Sequence, residues 1–184
     1  MSLIELTLGA IFVAAALCLI MALAWYIEDR SGKTGWIDTT WSLGVGGVAF
    51  VAAGWPLEPD WPHWRQMTVA VLAGSWCLRL GLHIAERNGA TVDDPRYRNL
   101  ITQWGGGASR RMFWFLQSQA MVGAILAVSI ALAAHNSNPQ WRLQDLIGLT
   151  VLIAAIAGET IADRQLRAFK NDPANHKAVC DVGL

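Results

Sequence analysis

The chain has 184 residues, of which 54% are hydrophobic and 15% are charged, and its formal net charge at pH 7 is zero. A soluble domain averages about 25% charged residues, so the composition is typical of a membrane protein, and the balanced charge gives no electrostatic footprint for nucleic-acid binding. Three cysteines without a CxxC spacing and four scattered histidines predict neither a disulfide framework nor a metal site.

Five stretches are each long and apolar enough to cross a membrane as a helix, which takes roughly 20 residues. The first lies near the N-terminus, but it lacks a basic start and is too long for the core of a signal peptide. In chain order the predicted spans are Leu3–Ile27, Trp36–Gly54, Met67–Arg87, Met112–Ala134 and Leu146–Phe169. The sequence therefore predicts an all-α fold, a multi-span transmembrane helix bundle of about five spans, as a single transmembrane domain over residues 1–184.

Basic residues are divided unequally between the two predicted membrane faces. Eleven Lys and Arg residues fall at the face that holds the connections after the first, third and fifth spans, and two fall at the other face. The positive-inside rule places the richer face in the cytoplasm. We therefore predict an N-terminus outside and a C-terminus in the cytoplasm, with tryptophans near the span ends as interfacial anchors.

Two predicted spans carry ionisable residues at a helical spacing in their cytoplasmic halves. The two sets are Arg79, His83 and Arg87 in the third span and Glu159, Asp163 and Arg167 in the fifth, with Lys170 one turn later. A spacing of four residues puts each set on one helix face. At the same predicted depth, the second span carries Asp38 near its beginning, and the fourth carries Gln117, Ser118 and Gln119.

Ionisable groups inside a membrane cost about 2.5–3.5 kcal/mol each, and pairing, water or a functional cavity offsets that cost. One alternative is that these side chains pair along their own helices or extend to the interface. We expect instead a polar cavity open to the cytoplasm, in which Arg79 and His83 face Glu159 and Asp163. Its cations would suit an anionic ligand.

The connection after the third span reads Asp93-Asp-Pro-Arg-Tyr-Arg98 and then Trp104-Gly-Gly-Gly107. Pro95 breaks a helix or opens a new one. The glycines could bring backbone amides to a phosphate, but their spacing matches neither GxxxxGK[ST] nor GxGxxG. A plain connector is the favoured interpretation.

Three blocks of sequence occur in a characteristic order along the chain. They are Ile37-Asp-Thr-Thr-Trp41, then Trp76-Cys-Leu-Arg-Leu-Gly-Leu-His83 with Arg87, Asp94-Pro-Arg-Tyr97 and Trp104, and finally Gly158-Glu-Thr-Ile-Ala-Asp-Arg-Gln165 with Phe169 and residues 175–184. Together they resemble the bacterial membrane proteins of unknown function in the steroid 5-alpha-reductase superfamily. The resemblance covers nearly the whole chain.

The resemblance implies a seven-helix enzyme of the bacterial inner membrane that reduces a carbon–carbon double bond next to a carbonyl, with NADPH, in a hydrophobic small molecule. It implies that the nucleotide is held by Arg79, Arg87, Glu159, Asp163, Arg167 and Lys170, and that Asp38 and His83 serve the chemistry. Ile84 stands where the steroid enzymes have the tyrosine that touches the substrate carbonyl.

The family continues beyond the position of Leu184 with an Arg-His-Pro-Asn-Tyr block and two more helices, which carry much of its nucleotide site. The resemblance therefore implies a truncated member, and we expect its 184 residues alone to bind NADPH poorly. Two alternatives stay open. The first is a membrane methyltransferase that uses S-adenosylmethionine, since such enzymes have a related layout. The second is a small non-enzymatic carrier, although no inverted repeat supports it.

Overall fold

The structure is a computed structural model that describes residues 3–55, 63–89, 93–136, 138, 140–175, 178–181 and 183. This part of the chain forms helices and turns and contains no strand, which confirms the all-α prediction. Its helices are α1 (Leu3–Ser31), α2 (Trp36–Gly54), α3 (His63–Gly89), α4 (Pro95–Trp104), α5 (Ala108–Ala134) and α6 (Leu143–Asn171). Short 3₁₀ turns occupy Gly105–Gly107 and Pro173–Asn175.

Four helical segments of the described chain are long and apolar enough to span a membrane. They are Leu3–Ser31, Trp64–Glu86, Pro95–Ala134 and Leu143–Asn171. They confirm four of the predicted spans and a membrane protein. The remaining predicted span, α2, has 19 residues and a length of roughly 28 Å, and Asp38 in its first turn lowers its apolar character. The assignment of α2 as a membrane span stays a prediction.

The chain divides into two compact units, Met1–Ser137 and Asn138–Leu184. The first unit contains α1 to α5. The second contains α6 and the turn that follows it. The single transmembrane domain stays a prediction.

Helix α2 is the centre of the first unit, because it packs against α1, α3 and α5. The fully buried side chains of this core are Leu17, Met21, Ile37, Val45, Met112 and Leu116. Gly46 lets α2 approach α3 closely, since a Cβ atom there would overlap the Cys77 side chain. The Cys77 thiol in turn donates to the Ser42 carbonyl oxygen at 3.3 Å. The middle of α2 is thereby held close to α3.

Local signals explain where α1 ends and where α4 begins. Gly32 has a φ of +66°, and its N–H donates to the Glu28 carbonyl oxygen at 2.7 Å, which caps α1 in the left-handed conformation that glycine favours. Pro95 occupies the first turn of α4 after Asp94 as N-cap. Of the two roles predicted for Pro95, the structure shows the opening of a helix.

Candidate functional site

The beginning of α4 is fixed against the connection between α1 and α2. The Asp94 carboxylate accepts a hydrogen bond of 2.9 Å from the Arg96 backbone N–H, which satisfies a free donor of the first helical turn. The Asp94 backbone N–H donates to the Thr34 hydroxyl, also at 2.9 Å. Asp94 and Thr34 are both buried. These bonds fix the direction in which the first side chains of α4 leave the helix.

Two side chains from α4 converge on Asp38 in the first turn of α2. The Tyr97 hydroxyl donates to one carboxylate oxygen of Asp38 at 2.5 Å, and the Arg96 guanidinium donates to the other. The Gln119 side-chain amide of α5 donates to the Tyr97 hydroxyl at 3.5 Å. We call Asp38, Arg96, Tyr97 and Gln119 the Asp38 cluster. It joins three helices through one carboxylate and one phenol.

Arg96 bridges two carboxylates. Besides its ion pair with Asp38, its guanidinium donates to the two oxygens of Asp94 at 2.8 and 3.1 Å. The Arg96 side chain is 66% exposed, whereas those of Asp38 and Asp94 are 22% and 10% exposed. The cation therefore reaches the cluster from its solvent side, and the planar guanidinium suits simultaneous contacts with both acids.

The Tyr97 phenol lies between this polar cluster and the apolar core. Tyr97 is only 5% exposed, and its ring packs edge-on against Phe115 with centroids 6.3 Å apart. Trp104 packs on Phe115 in the same manner at 6.2 Å. Trp41 donates from its indole N–H to the Gln119 carbonyl oxygen at 3.1 Å. A phenol with a carboxylate at its hydroxyl and aromatic rings at its side can donate a hydrogen bond or a proton to an apolar molecule.

Of the residues predicted on the third span, Arg79 and His83 are half-buried on α3. They leave α3 on roughly the opposite side from Cys77, which faces α2. The side chains that hydrogen-bond to Asp38 in the described chain are Arg96 and Tyr97. A catalytic role for His83 beside Asp38 stays a prediction, and the Arg87 side chain lies outside the described residues.

The residues predicted on the fifth span lie on α6, in the second unit. Glu159, Arg167 and Lys170 are exposed, and Asp163 is half-buried. Their role toward a nucleotide stays a prediction, as does the expected cavity shared with α3.

The sequence alone identifies Asp38 as a candidate and places Gln119 among the polar residues at the same depth, but it assigns no site role to Arg96 or Tyr97. The available signal was the pair Asp94-Pro95, which predicts a helix start. A helix that begins there presents Arg96 and Tyr97 in its first turn. Both would then lie at the predicted membrane face that also holds Asp38.

Comparison with known proteins bears on the family alone. Residues 24–184 match the profile of a family described as "Protein of unknown function (DUF1295)". No curated protein and no solved structure matches the chain. The matched range includes every member of the Asp38 cluster.

Proposed function

The chain belongs to the DUF1295 family, and from this premise we propose that it is a membrane-embedded reductase that uses NADPH to reduce an enone in a lipid-like substrate. The observation that carries the proposal is the hydrogen bond between Tyr97 and Asp38. Asp38 belongs to the first sequence block that resembles the steroid 5-alpha-reductase superfamily, and Tyr97 belongs to the second. The fold thus brings together two blocks that the resemblance associates with one activity.

The cluster suits the electrophilic half of an enone reduction. Bound NADPH would supply a hydride for the β-carbon of the substrate, and the carbonyl oxygen would take up the negative charge that results. A hydrogen-bond donor at that oxygen stabilises the developing charge. Proton addition at the α-carbon, from water, completes the saturated ketone. One enone, one NADPH and one proton give one ketone and one NADP⁺.

Tyr97 is the donor that we assign to the carbonyl oxygen. Its single hydroxyl proton is directed at Asp38 in the free protein, and a bound carbonyl would take over that hydrogen bond. Arg96 would continue to neutralise the Asp38 carboxylate, while Gln119 would still donate to the phenol oxygen. The Asp38 carboxylate and the phenol oxygen would therefore each keep a partner when the Tyr97 hydroxyl donates to the substrate.

The surroundings of the phenol favour a hydrophobic substrate. Phe115 packs against Tyr97, and Trp104 packs against Phe115; aromatic side chains of this kind line sites for apolar molecules. The resemblance implies that Arg167 and Lys170, near the end of α6, are among the cations that bind the phosphates of NADPH. They are exposed cations, and guanidinium and ammonium groups bind phosphate.

The test uses the full gene product, purified in detergent and supplied with NADPH and a panel of apolar enones. We expect loss of NADPH absorbance with at least one enone. Tyr97→Phe should lower kcat about 10²–10³-fold, as removal of an oxyanion donor does. Tyr26→Phe is the matched control, because the exposed Tyr26 ring contacts only Arg30 within the described contacts.

Two outcomes would contradict the proposal. Binding of S-adenosylmethionine without binding of NADPH would favour the methyltransferase alternative. Binding of neither compound would favour a carrier.

A further inference from the structure

A hollow lies between the last turns of α1 and the first turns of α2. Its volume is about 320 Å³, which is the lower end of the range for ligand pockets. Its lining residues are Ala24, Ile27, Lys33, Trp36, Ile37 and Thr40. No member of the Asp38 cluster is among them, so the hollow is a separate feature.

The hollow has an apolar floor and apolar walls. Ala24 and Ile37 are buried at its base, with 5% and 1% exposure. Ile27 and Trp36 are 46% and 49% exposed, so they form walls that open outward. A soluble anion would leave these walls uncovered, whereas a hydrocarbon chain would cover them.

The charged side chain among the residues that line the hollow is that of Lys33. Lys33 is exposed in the connection that follows α1, and within the described chain no carboxylate forms an ion pair with it. The neighbouring cation, Arg30, lies over the Tyr26 ring at 5.2 Å. Of the two acids between Ile27 and Lys33, Glu28 is buried and Asp29 is exposed.

We propose that this hollow binds one anionic phospholipid. An acyl chain lies against Ala24, Ile27 and Ile37, and the headgroup phosphate contacts the Lys33 ammonium. The level is appropriate, because Lys33 follows the end of an apolar helix of 29 residues, where a membrane meets water. Basic pockets between transmembrane helices at that level bind anionic headgroups, and the Trp36 indole suits the same interface.

The proposal is tested by native mass spectrometry of the full gene product in nanodiscs. The discs contain phosphatidylglycerol and phosphatidylcholine with identical acyl chains. We expect one phosphatidylglycerol to be retained in preference to phosphatidylcholine. Lys33→Gln should weaken that preference about fivefold, because a lysine near the membrane surface contributes about 1 kcal/mol. Arg164→Gln, which removes an exposed cation from α6, is the matched control and should retain the lipid.

A second variant addresses the acyl chain. Thr40→Phe places a ring in the hollow and should reduce retention of phosphatidylglycerol while the unfolding temperature stays near that of the parent. Three results would overturn the proposal: equal retention of the two lipids, equal loss in Lys33→Gln and Arg164→Gln, or retention unaffected by Thr40→Phe. Displacement of the lipid by inorganic phosphate would also overturn it, since the site would then be a simple phosphate site.

Discussion

The Tyr97 hydroxyl donates a hydrogen bond of 2.5 Å to the carboxylate of Asp38, across 59 positions of sequence. The bond ties the first turn of α4 to the first turn of α2. Because Tyr97 is almost fully buried, water competes weakly for this contact. The same bond supports the proposed chemistry and the attachment of α4 to the bundle, and the two roles can be tested separately.

The structural role of this bond predicts a loss of stability in Tyr97→Phe. A hydrogen bond to a charged group contributes about 1.5–3 kcal/mol, so the free energy of unfolding should fall by about that amount. Tyr26→Phe should stay within about 0.5 kcal/mol of the parent, as exposed substitutions do. Unfolding titrations in mixed micelles measure both. Equal stabilities of the two variants would mean that the Tyr97 hydroxyl contributes nothing to the fold.

Asp94 has two roles that different substitutions separate. Asp94→Asn keeps an oxygen that can cap α4 but removes the charge that Arg96 contacts. Asp94→Ala removes both, and loss of the cap alone costs about 0.5–2 kcal/mol. We expect the order of stability parent, Asp94→Asn, Asp94→Ala, together with faster amide hydrogen exchange at Arg96 in Asp94→Ala. Equal free energies of unfolding for Asp94→Asn and Asp94→Ala would mean that the Asp94 cap contributes no measurable stability.

The contact between α2 and α3 predicts opposite effects at two adjacent glycines. Gly46→Ala forces a Cβ atom into the Cys77 side chain, and such overpacking typically costs about 1–3 kcal/mol. Gly47→Ala meets nothing within 4 Å and should stabilise the helix by up to about 1 kcal/mol, since alanine favours a helix over glycine. Thermal unfolding of the two variants checks the pair. Destabilisation by Gly47→Ala equal to that of Gly46→Ala would contradict the close approach at Gly46.

The predicted orientation has its own test by cysteine labelling. In a background with Cys180→Ser, we expect Asp60→Cys to react with an impermeant maleimide from outside and Asp172→Cys to react only from the cytoplasmic side. Position 60 lies outside the described residues, so the test rests on the distribution of basic residues. Labelling of position 60 from the cytoplasmic side would show that the topology is the inverse of the predicted one.

The sequence was sufficient for the helices of the bundle but less so for their ends. Runs of apolar residues predicted all the long helices because burial in lipid requires continuous apolar composition. The predicted third span started at Met67, whereas α3 starts at His63. Polar residues can extend a helix into water beyond its apolar run. Hydropathy alone therefore predicts a start of the helix that lies too late in the sequence.

The candidate site was harder to predict than the helices. Asp38 was recognisable as an acid at the start of an apolar helix. The other members of the cluster were not, because Tyr97 and Gln119 come from two other helices and no sequence period links them to Asp38. The orientation of α4 depends on the bond between the Asp94 backbone N–H and the Thr34 hydroxyl, and a contact between two loops leaves no pattern in either segment.

The central claim is that the Asp38 cluster serves NADPH-dependent reduction of an enone, and transfer of deuterium from NADPH labelled at C4 tests it most directly. The full gene product is incubated with each C4 deuterated epimer and an apolar enone, and the product is analysed by mass spectrometry. We predict one deuterium at the β-carbon of the saturated ketone from one epimer, with transfer about 10²–10³-fold slower in Tyr97→Phe and unchanged in Tyr26→Phe. Absence of deuterium from every product, or equal transfer by Tyr97→Phe and the parent, would contradict the claim.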